Sequence, residues 1–338
     1  MFVSESRRKI APKNEKSKSA AVKLPDRAFF CVRLGRFAPW PGGLPGVLPP
    51  PTPMILIADG GSTKSAWSRL DDAGNRVNFN TEGYNPDFVD TPTIAASLDR
   101  SLPDTLPREQ VRQVFYYGAG ISSAAKAEVV GAAMRQIFPN ADVEIEHDLL
   151  AAARALLGHE SGFAAILGTG TNSCLYDGRK VTRSVDSLGY FLGDEGSGSY
   201  IGKRLLRDFL RGQLPKGLEE AFRAQFPELD RNGILDRLYN QPLPNRFLAS
   251  FSKFCYDHNN FSYCREIVLD GFEAFFRNLV TKYPRFQEHT FNCVGSVAYN
   301  FRDALEEVCR RHGMPMGRIV RAPIDNLVRF HQGQPLVD

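Results

Sequence analysis

The sequence predicts an α/β protein made of two related halves that face each other, the second more helical than the first. Three observations carry this. From Met54 onward, short apolar strand-like runs alternate with stretches of helical periodicity. A strand pair with a Gly/Ser/Thr tip recurs at a spacing of 108 residues. Residues 197–282 read as almost wholly helical.

The elements follow in order. Residues 1–38 are basic and rich in Ser and Lys, and residues 39–53 carry seven prolines in fifteen positions. Proline has no N–H to give to a ladder and breaks a helix, so residues 1–53 are expected to be a disordered basic, Pro-rich extension. The apolar run at 28–34 is too short and too charged for a targeting peptide. The reading favoured over a functional basic tail is an upstream start, with Met54 the working first residue. Strands are expected at 54–59, 65–70, 75–80, 113–117, 143–146, 163–168, 172–176, 179–184 and 290–294. Helices are expected at 90–101, 122–137, 148–157, 197–211, 217–225, 231–239, 244–258, 262–282 and 299–312. The domain division expected is 54–158, 159–316, and a C-terminal helix within 317–338 that packs back near the first domain.

Composition removes several function classes. The 338 residues are 43% hydrophobic and 24% charged, which excludes collagen-like, coiled-coil and fully disordered chains. No stretch approaches the roughly 18 uninterrupted apolar residues of a membrane helix, so no membrane partner is expected. Net charge is +4, yet residues 1–53 alone carry +7 and the remainder −3. The body is mildly acidic, which argues against nucleic acid as a partner. Six scattered cysteines with no CxxC pair or zinc-ligand spacing suit reduced thiols in a cytoplasm.

The repeated hairpin carries the first functional signal. Residues 60–67 (GGSTKSAW) align without gaps on 168–175 (GTGTNSCL). Each tip offers backbone N–H groups, small side chains and hydroxyls, which suit phosphate oxygens. One such tip is ordinary turn chemistry. Two related tips imply duplicated domains with a polyphosphate clamped between them. A Walker loop, a well-placed GxGxxG and a GxSxG elbow are all absent.

Single residues allow two readings each. Asp148 follows a strand and opens a helix, so it is either an N-cap or an ionised proton acceptor. Asp194–Glu195 lies between Gly193 and Gly196, where Asp194 can approach a ligand closely and Glu195 can cap the next helix. Asn85, pushed to extended geometry by Pro86, is a turn residue or a ligand contact. His147 is expected on the opposite strand face from the chemistry. Cys174 and Cys293 read as core, and Phe247, Phe251, Phe254, Phe272, Phe275 and Phe276 as a packing stripe.

The segments DGGSTKS (59–65), GYNP (83–86), YGAG (117–120), EHD (146–148), LGTGTNS (167–173), GYFLGDEGSG (189–198) and CVGSVA (293–298) together resemble the N-acetylglucosamine kinase and BadF/BadG/BcrA/BcrD-type ATPase family, within the actin-like sugar kinase superfamily. The resemblance runs from about 54 to 316. It implies two actin-like, ribonuclease H-like domains across a cleft, with ATP and Mg²⁺ as cofactors and an amino sugar as substrate. It implies Asp148 as catalytic base and Asp59 as the magnesium-holding residue. The ATP site would comprise Gly61, Ser62, Thr63, Lys64, Thr169, Gly170, Ala249, Gly295 and Tyr299. The sugar site would comprise Asn85, Gly118, Thr171, Asn172, Ser187, Leu188, Gly189 and Asp194. The implied reaction is phosphorylation of the 6-hydroxyl of N-acetylglucosamine by a cytoplasmic kinase, with a homodimer compatible but not fixed. Rival readings are an activator-type ATPase serving a partner enzyme and a non-catalytic sugar sensor. The tail departs from the kinases, since RIVRAPIDNLVRFHQ (318–332) lacks their Gly-Gly-Ala type turn.

Overall fold

The computed structural model describes residues 53–61 and 64–338. The expectations for residues 1–52, including the extension, and for Ser62 and Thr63 lie outside the described residues.

Sheet one is built from β1 (Met54–Gly60), β2 (Lys64–Asp71), β3 (Arg76–Glu82), β4 (Val111–Gly118) and β5 (Asp142–His147), in the order β3-β2-β1-β4-β5. Helices α1 (Thr91–Ser101) and α2 (Ala124–Ile137) cover one face, and α3 (Asp148–Leu157) follows β5 directly. Sheet two contains β6 (Ser161–Leu167), β7 (Thr171–Asp177), β8 (Val181–Ser184), β9 (Phe291–Val294) and β10 (Met316–Val320), in the order β10-β9-β6-β7-β8. In each sheet the first three strands form an antiparallel meander and the last two join in parallel. The two halves thus share one topology, as the repeated hairpin implied.

Helices fill the long connection between β8 and β9. They are α4 (Gly189–Leu192), α5 (Gly198–Leu210), α6 (Lys216–Gln225), α7 (Arg231–Tyr239), α8 (Pro244–Ser250), α9 (Ser252–Asp257) and α10 (Ser262–Asn278). After β9 come α11 (Ser296–Asn300), α12 (Arg302–Arg311) and, past β10, α13 (Ile324–His331). The phenylalanine stripe packs as expected, with Phe251, Phe254, Phe272, Phe275 and Phe276 fully buried in the core of this half.

Three differences from the sequence reading have physical causes. The helix expected over 244–258 breaks at Phe251, and that over 299–312 is two helices split at Phe301. Apolar periodicity runs through both breaks because residues on each side pack into the same core. At the first of them α8 lies against α5 at Gly202, where a Cβ would stand 1.8 Å from the carbonyl oxygen of Leu248. Residues 317–338 are not helix alone, because β10 precedes α13 and completes sheet two. Its sequence, MGRIV, mixes Gly and Arg into five residues and shows no alternation.

A third core cluster joins the sheets. Ile57 and Tyr117 of sheet one meet Ala164, Cys174 and Val294 of sheet two around α3 and α13. Helix α3 (DLLAAARALL) is buried on nearly every side and apolar but for Asp148 and Arg154, and its alanines let backbones approach.

Candidate active site

The carboxyl ends of parallel strands are where α/β sheets expose backbone groups and receive ligands. In sheet one Asp59 sits at that end of β1, Gly118 at the end of β4, and Asp148 just past β5. The strand ends are held in step by Ala119 N–H donating to Gly60 O at 2.8 Å. A side chain at Gly118 would strike the Tyr116 ring at 2.6 Å and Ile121 at 2.7 Å, so the glycine keeps this floor open.

Asp59 and Asp148 are electrostatic neighbours. Burial, and behind it the charge of Asp148, pushes the Asp59 carboxyl up to about 7. Burial pushes Asp148 up to about 6, opposed by hydrogen bonds from the backbone N–H groups of Leu149 and of Asp148 itself. Both residues remain partly exposed. The N-cap of α3 is not Asp148: His147 Nδ1 accepts from Leu150 N–H at 3.1 Å. The histidine expected to point away from the chemistry thus takes the capping job and leaves the Asp148 carboxylate available.

The first hairpin tip runs from Gly61, whose N–H donates to Lys64 O at 3.0 Å, to the exposed Lys64. The second tip is tied to the start of α5. Gly198 N–H donates to Gly168 O at 2.8 Å, and Ser199 N–H to Thr169 O at 3.1 Å. Thr171 N–H donates to Asp194 Oδ1 at 3.0 Å, and Thr171 Oγ1 to Glu195 O at 2.7 Å. The backbone N–H groups of Thr169 and Gly170 have no acceptor among the described residues. The carboxylate of Asp194 underlies Gly170, where a Cβ would come within 2.9 Å of it.

Asp194 holds φ = 55°, in the left-handed region, and is 6% exposed. Burial raises its carboxyl above the ordinary value despite bonds from Thr171 N–H and the Ser187 side chain. Its own N–H donates to Ser187 O at 2.9 Å, so the segment Ser187–Asp194 closes on itself. Leu188 and Gly189 are exposed on that segment, both with positive φ. Glu195 does not cap α5: Ser197 does, accepting from Tyr200 N–H at 3.2 Å, while Glu195 Oε1 accepts from Asn278 Nδ2 at 2.7 Å.

The remaining residues are placed as follows. Asn85 Oδ1 accepts from Asp87 N–H at 2.9 Å and lies against Gly120, on the loop following β4. Asn172 is the second residue of β7, with Oδ1 taking the Ser173 N–H at 2.9 Å. Ala249 packs α8 on Gly198 at the start of α5, with 3.2 Å to a Cβ there. Gly295 has φ = 134°, and a side chain there would stand 2.2 Å from Leu167 O beside the second tip. Tyr299, half exposed, is one turn into α11 and donates its N–H to Gly295 O at 3.0 Å. A cavity of about 540 Å³, lined in part by Ser161, Asn292 and Arg318, lies at the amino ends of β6, β9 and β10, away from the strand ends that carry these residues.

Among the described residues no group of three His, Cys, Asp or Glu side chains is arranged to hold a metal. The five described cysteines are free and buried. No helix among the described residues is long and apolar enough to cross a membrane.

Duplicated five-stranded lobes joined through α3 and α13, with glycine-tipped hairpins in both, define the actin-like fold of sugar kinases. No family model and no curated protein matches the chain. Solved structures do. A provisionally assigned N-acetylglucosamine kinase from Porphyromonas gingivalis is 37% identical over 82% of this chain and 99% of its own, with a TM-score of 0.78. A second provisionally assigned N-acetylglucosamine kinase, from Chromobacterium violaceum, is 16% identical over 84% of this chain and 100% of its own, with a TM-score of 0.62, and shows the fold alone. The chain belongs to the N-acetylglucosamine kinase family of actin-like sugar kinases.

Proposed function

We propose that the protein transfers the γ-phosphoryl group of ATP to a hydroxyl of an amino sugar, the 6-hydroxyl of N-acetylglucosamine being the favoured acceptor. The observation that carries the reading is the pair Asp59 and Asp148 at the carboxyl ends of sheet one. Two oxygen-donor groups raised by burial, Asp59 further by the charge of Asp148, are relieved by a hard divalent cation. Such a cation also needs few protein ligands when phosphates and water complete its shell. Asp59 would hold Mg²⁺ through water.

Magnesium-bound ATP, when bound, supplies the phosphoryl group with its charge largely neutralised. Asp148 takes the proton from the sugar hydroxyl, and a carboxylate lifted to about 6 is both ionised at neutral pH and more basic than an ordinary aspartate. The N–H groups of Thr169 and Gly170, with the hydroxyls of Ser62, Thr63 and Thr169 and the charge of Lys64, hold phosphate oxygens, and Gly61 lets the first tip approach them closely. Ala249, Gly295 and Tyr299 flank the nucleoside. Asn85, Gly118, Asn172 and the Ser187–Gly189 turn receive the sugar. Thr171 and Asp194 fix the backbone of that subsite as well as lining it. The partners are thus small molecules, and we place the reaction in the cytoplasm. A homodimer is compatible with it.

An ADP-release assay across N-acetylglucosamine, N-acetylmannosamine, glucosamine and muramic derivatives tests the proposal. Turnover strongest with an N-acetylated hexosamine is expected. Tight sugar binding with no ADP released would make the protein a sensor on a kinase fold.

A further inference from the structure

We infer that Tyr283 is a positioning residue for the sugar subsite, acting through the chain segment 185–194. The inference rests on the reading above. Tyr283 lies 110 residues from the hairpin it touches, just beyond α10, and is 2% exposed. Its ring meets Phe163 edge-on at 5.3 Å, which fixes where the hydroxyl points. That hydroxyl makes three bonds. It donates to Ser173 O at 2.7 Å, receives the Val185 N–H at 3.0 Å, and stands 2.9 Å from Ser173 Oγ. Since its one proton goes to the carbonyl, Ser173 Oγ is the donor of the third bond, and the phenol's hydrogen-bonding capacity is full. Burial pushes its pKa up to about 12, so it stays a neutral phenol.

The three bonds join two parts of the sugar subsite. Ser173 follows Asn172 on β7, and Val185 opens the segment that carries Ser187, Leu188 and Gly189. The β8 ladder ends at Ser184, paired with Cys174, and Val185 packs on the core of this half, but residues 185–188 form no regular element, and the Tyr283 hydroxyl is the acceptor of the Val185 N–H. From Val185 the order passes to Ser187, whose carbonyl takes the Asp194 N–H, and from Asp194 to the Thr171 N–H at the hairpin tip. One buried oxygen therefore ties β7 to the start of the Ser187–Asp194 turn, beyond the last pair of the β7–β8 ladder. Among the described residues, no hydrogen bond or ring contact of Tyr283 reaches the first lobe or the second hairpin tip.

The test is Tyr283→Phe in the full chain, with Ser173→Ala as a milder partner that removes only one of the three bonds. Loss of a hydroxyl that leaves buried N–H and C=O groups unpaired is expected to raise the sugar KM about tenfold, with kcat and the ATP KM within about twofold of the parent. The sugar Kd by calorimetry should rise in step. Ser173→Ala should move the same quantities in the same direction by less. A lowered Tm with an unchanged sugar KM would make Tyr283 a core residue only, and kcat or the ATP KM changing as much as the sugar KM would equally overturn the inference. Amide hydrogen exchange separates this from the proposed activity: Tyr283→Phe should speed exchange across 185–194 whether or not any sugar is turned over. Unchanged exchange there would sink the inference even in an active kinase, whereas faster exchange in a protein inactive on every sugar would sink only the kinase reading.

Discussion

The two hairpin ends began as one motif and now use their carboxylates in opposite ways. In the first lobe the strand end presses on an aromatic. A side chain at Gly60 would stand 2.1 Å from the Tyr116 hydroxyl, and Ser65 Oγ meets that hydroxyl at 3.3 Å. Asp59 accepts no side-chain hydrogen bond among the described residues, and its neighbour Asp148 takes only local backbone donors. Burial raises both carboxyls, as it raises Asp194, but here few hydrogen bonds oppose it. In the second lobe Asp194 is engaged by Thr171 N–H and Ser187, and Glu195 by Asn278. A carboxylate that must exchange protons or hold a cation has to be left underpartnered, whereas one that shapes a pocket has to be saturated. On the function proposed above, the same duplicated scaffold would do both, because the duplicated part is the backbone and the partners come from elsewhere in the chain.

The sharpest way to break this contrast is Asp148→Asn. Asparagine keeps the shape but takes no proton, and His147 rather than Asp148 caps α3. kcat should fall about 10²–10⁴-fold, with sugar binding by calorimetry and the thermal midpoint close to the parent. A variant with near-normal kcat would remove Asp148 from the chemistry.

Asp194 should respond in stability and KM instead. Asp194→Ala leaves the buried Thr171 N–H without its acceptor and places alanine at φ = 55°. The combined loss should be about 2–4 kcal/mol in urea unfolding. Asp194→Asn tolerates the left-handed backbone and still accepts from Thr171, so most of that stability should return. The sugar KM should rise in both, more in the alanine variant. Equal destabilisation by the two would mean that the hydrogen bond to Thr171 does not hold the tip.

The layer between the lobes offers a pH-dependent test of what joins them. Arg154, 2% exposed, donates to the Tyr117 hydroxyl at 2.6 Å and lies 5.2 Å over the Phe330 ring. With its oxygen accepting from Arg154, Tyr117 directs its proton to His331 Nε2 at 2.8 Å, so that nitrogen must be unprotonated. Burial, helped by the Arg154 charge, lowers His331 to about 3. Unfolded histidine takes a proton near 6.5, so between 6.5 and 3 the unfolded chain binds more protons and stability falls as pH falls. From pH 7.5 to pH 5 the loss assigned to His331 is about 2 kcal/mol. His331→Phe, which can keep the contact with Phe115 at a 4.0 Å ring separation, should show a flatter urea midpoint over that range. An unchanged slope would mean that His331 does not titrate in this window.

Much of this was legible in the sequence, and what was not has a common cause. The nine strands read from apolar runs lie where they were expected, and the 108-residue echo became two sheets of one topology. Those signals are local, or repeat a local signal. The break at Phe251 and the strand at 316–320 were not legible because burial on both sides of the one, and Gly and Arg within the other, hide the local pattern. Partner choice was the least legible. That Asp194 serves Thr171, Glu195 serves Asn278 and Tyr283 serves Ser173 depends on contacts spanning 23, 83 and 110 residues. His147 is the exception, since a histidine just before an apolar helical run could have been read as a cap.

The smallest expected effect is also the most direct probe of saturation in the second lobe. Thr171 is the counterpart of Thr63 in the repeat, and a hydroxyl at a hairpin tip suggests a phosphate contact. The structure gives its proton to Glu195 O at 2.7 Å, with the residue 5% exposed. Thr171→Val keeps the β-branched shape suited to a strand start and removes only that bond, so stability should drop by about 1 kcal/mol while the ATP KM stays within twofold. Thr171→Ser keeps the donor and should lose less. Thr63→Val should do the reverse, raising the ATP KM with little change in stability, since a phosphate contact is made only when nucleotide is bound. The measurement is ATP KM and urea midpoint on all three variants. Should Thr171→Val raise the ATP KM as Thr63→Val does, the two tips would be functionally equivalent, and the division between a lobe that reacts and a lobe that holds would fail.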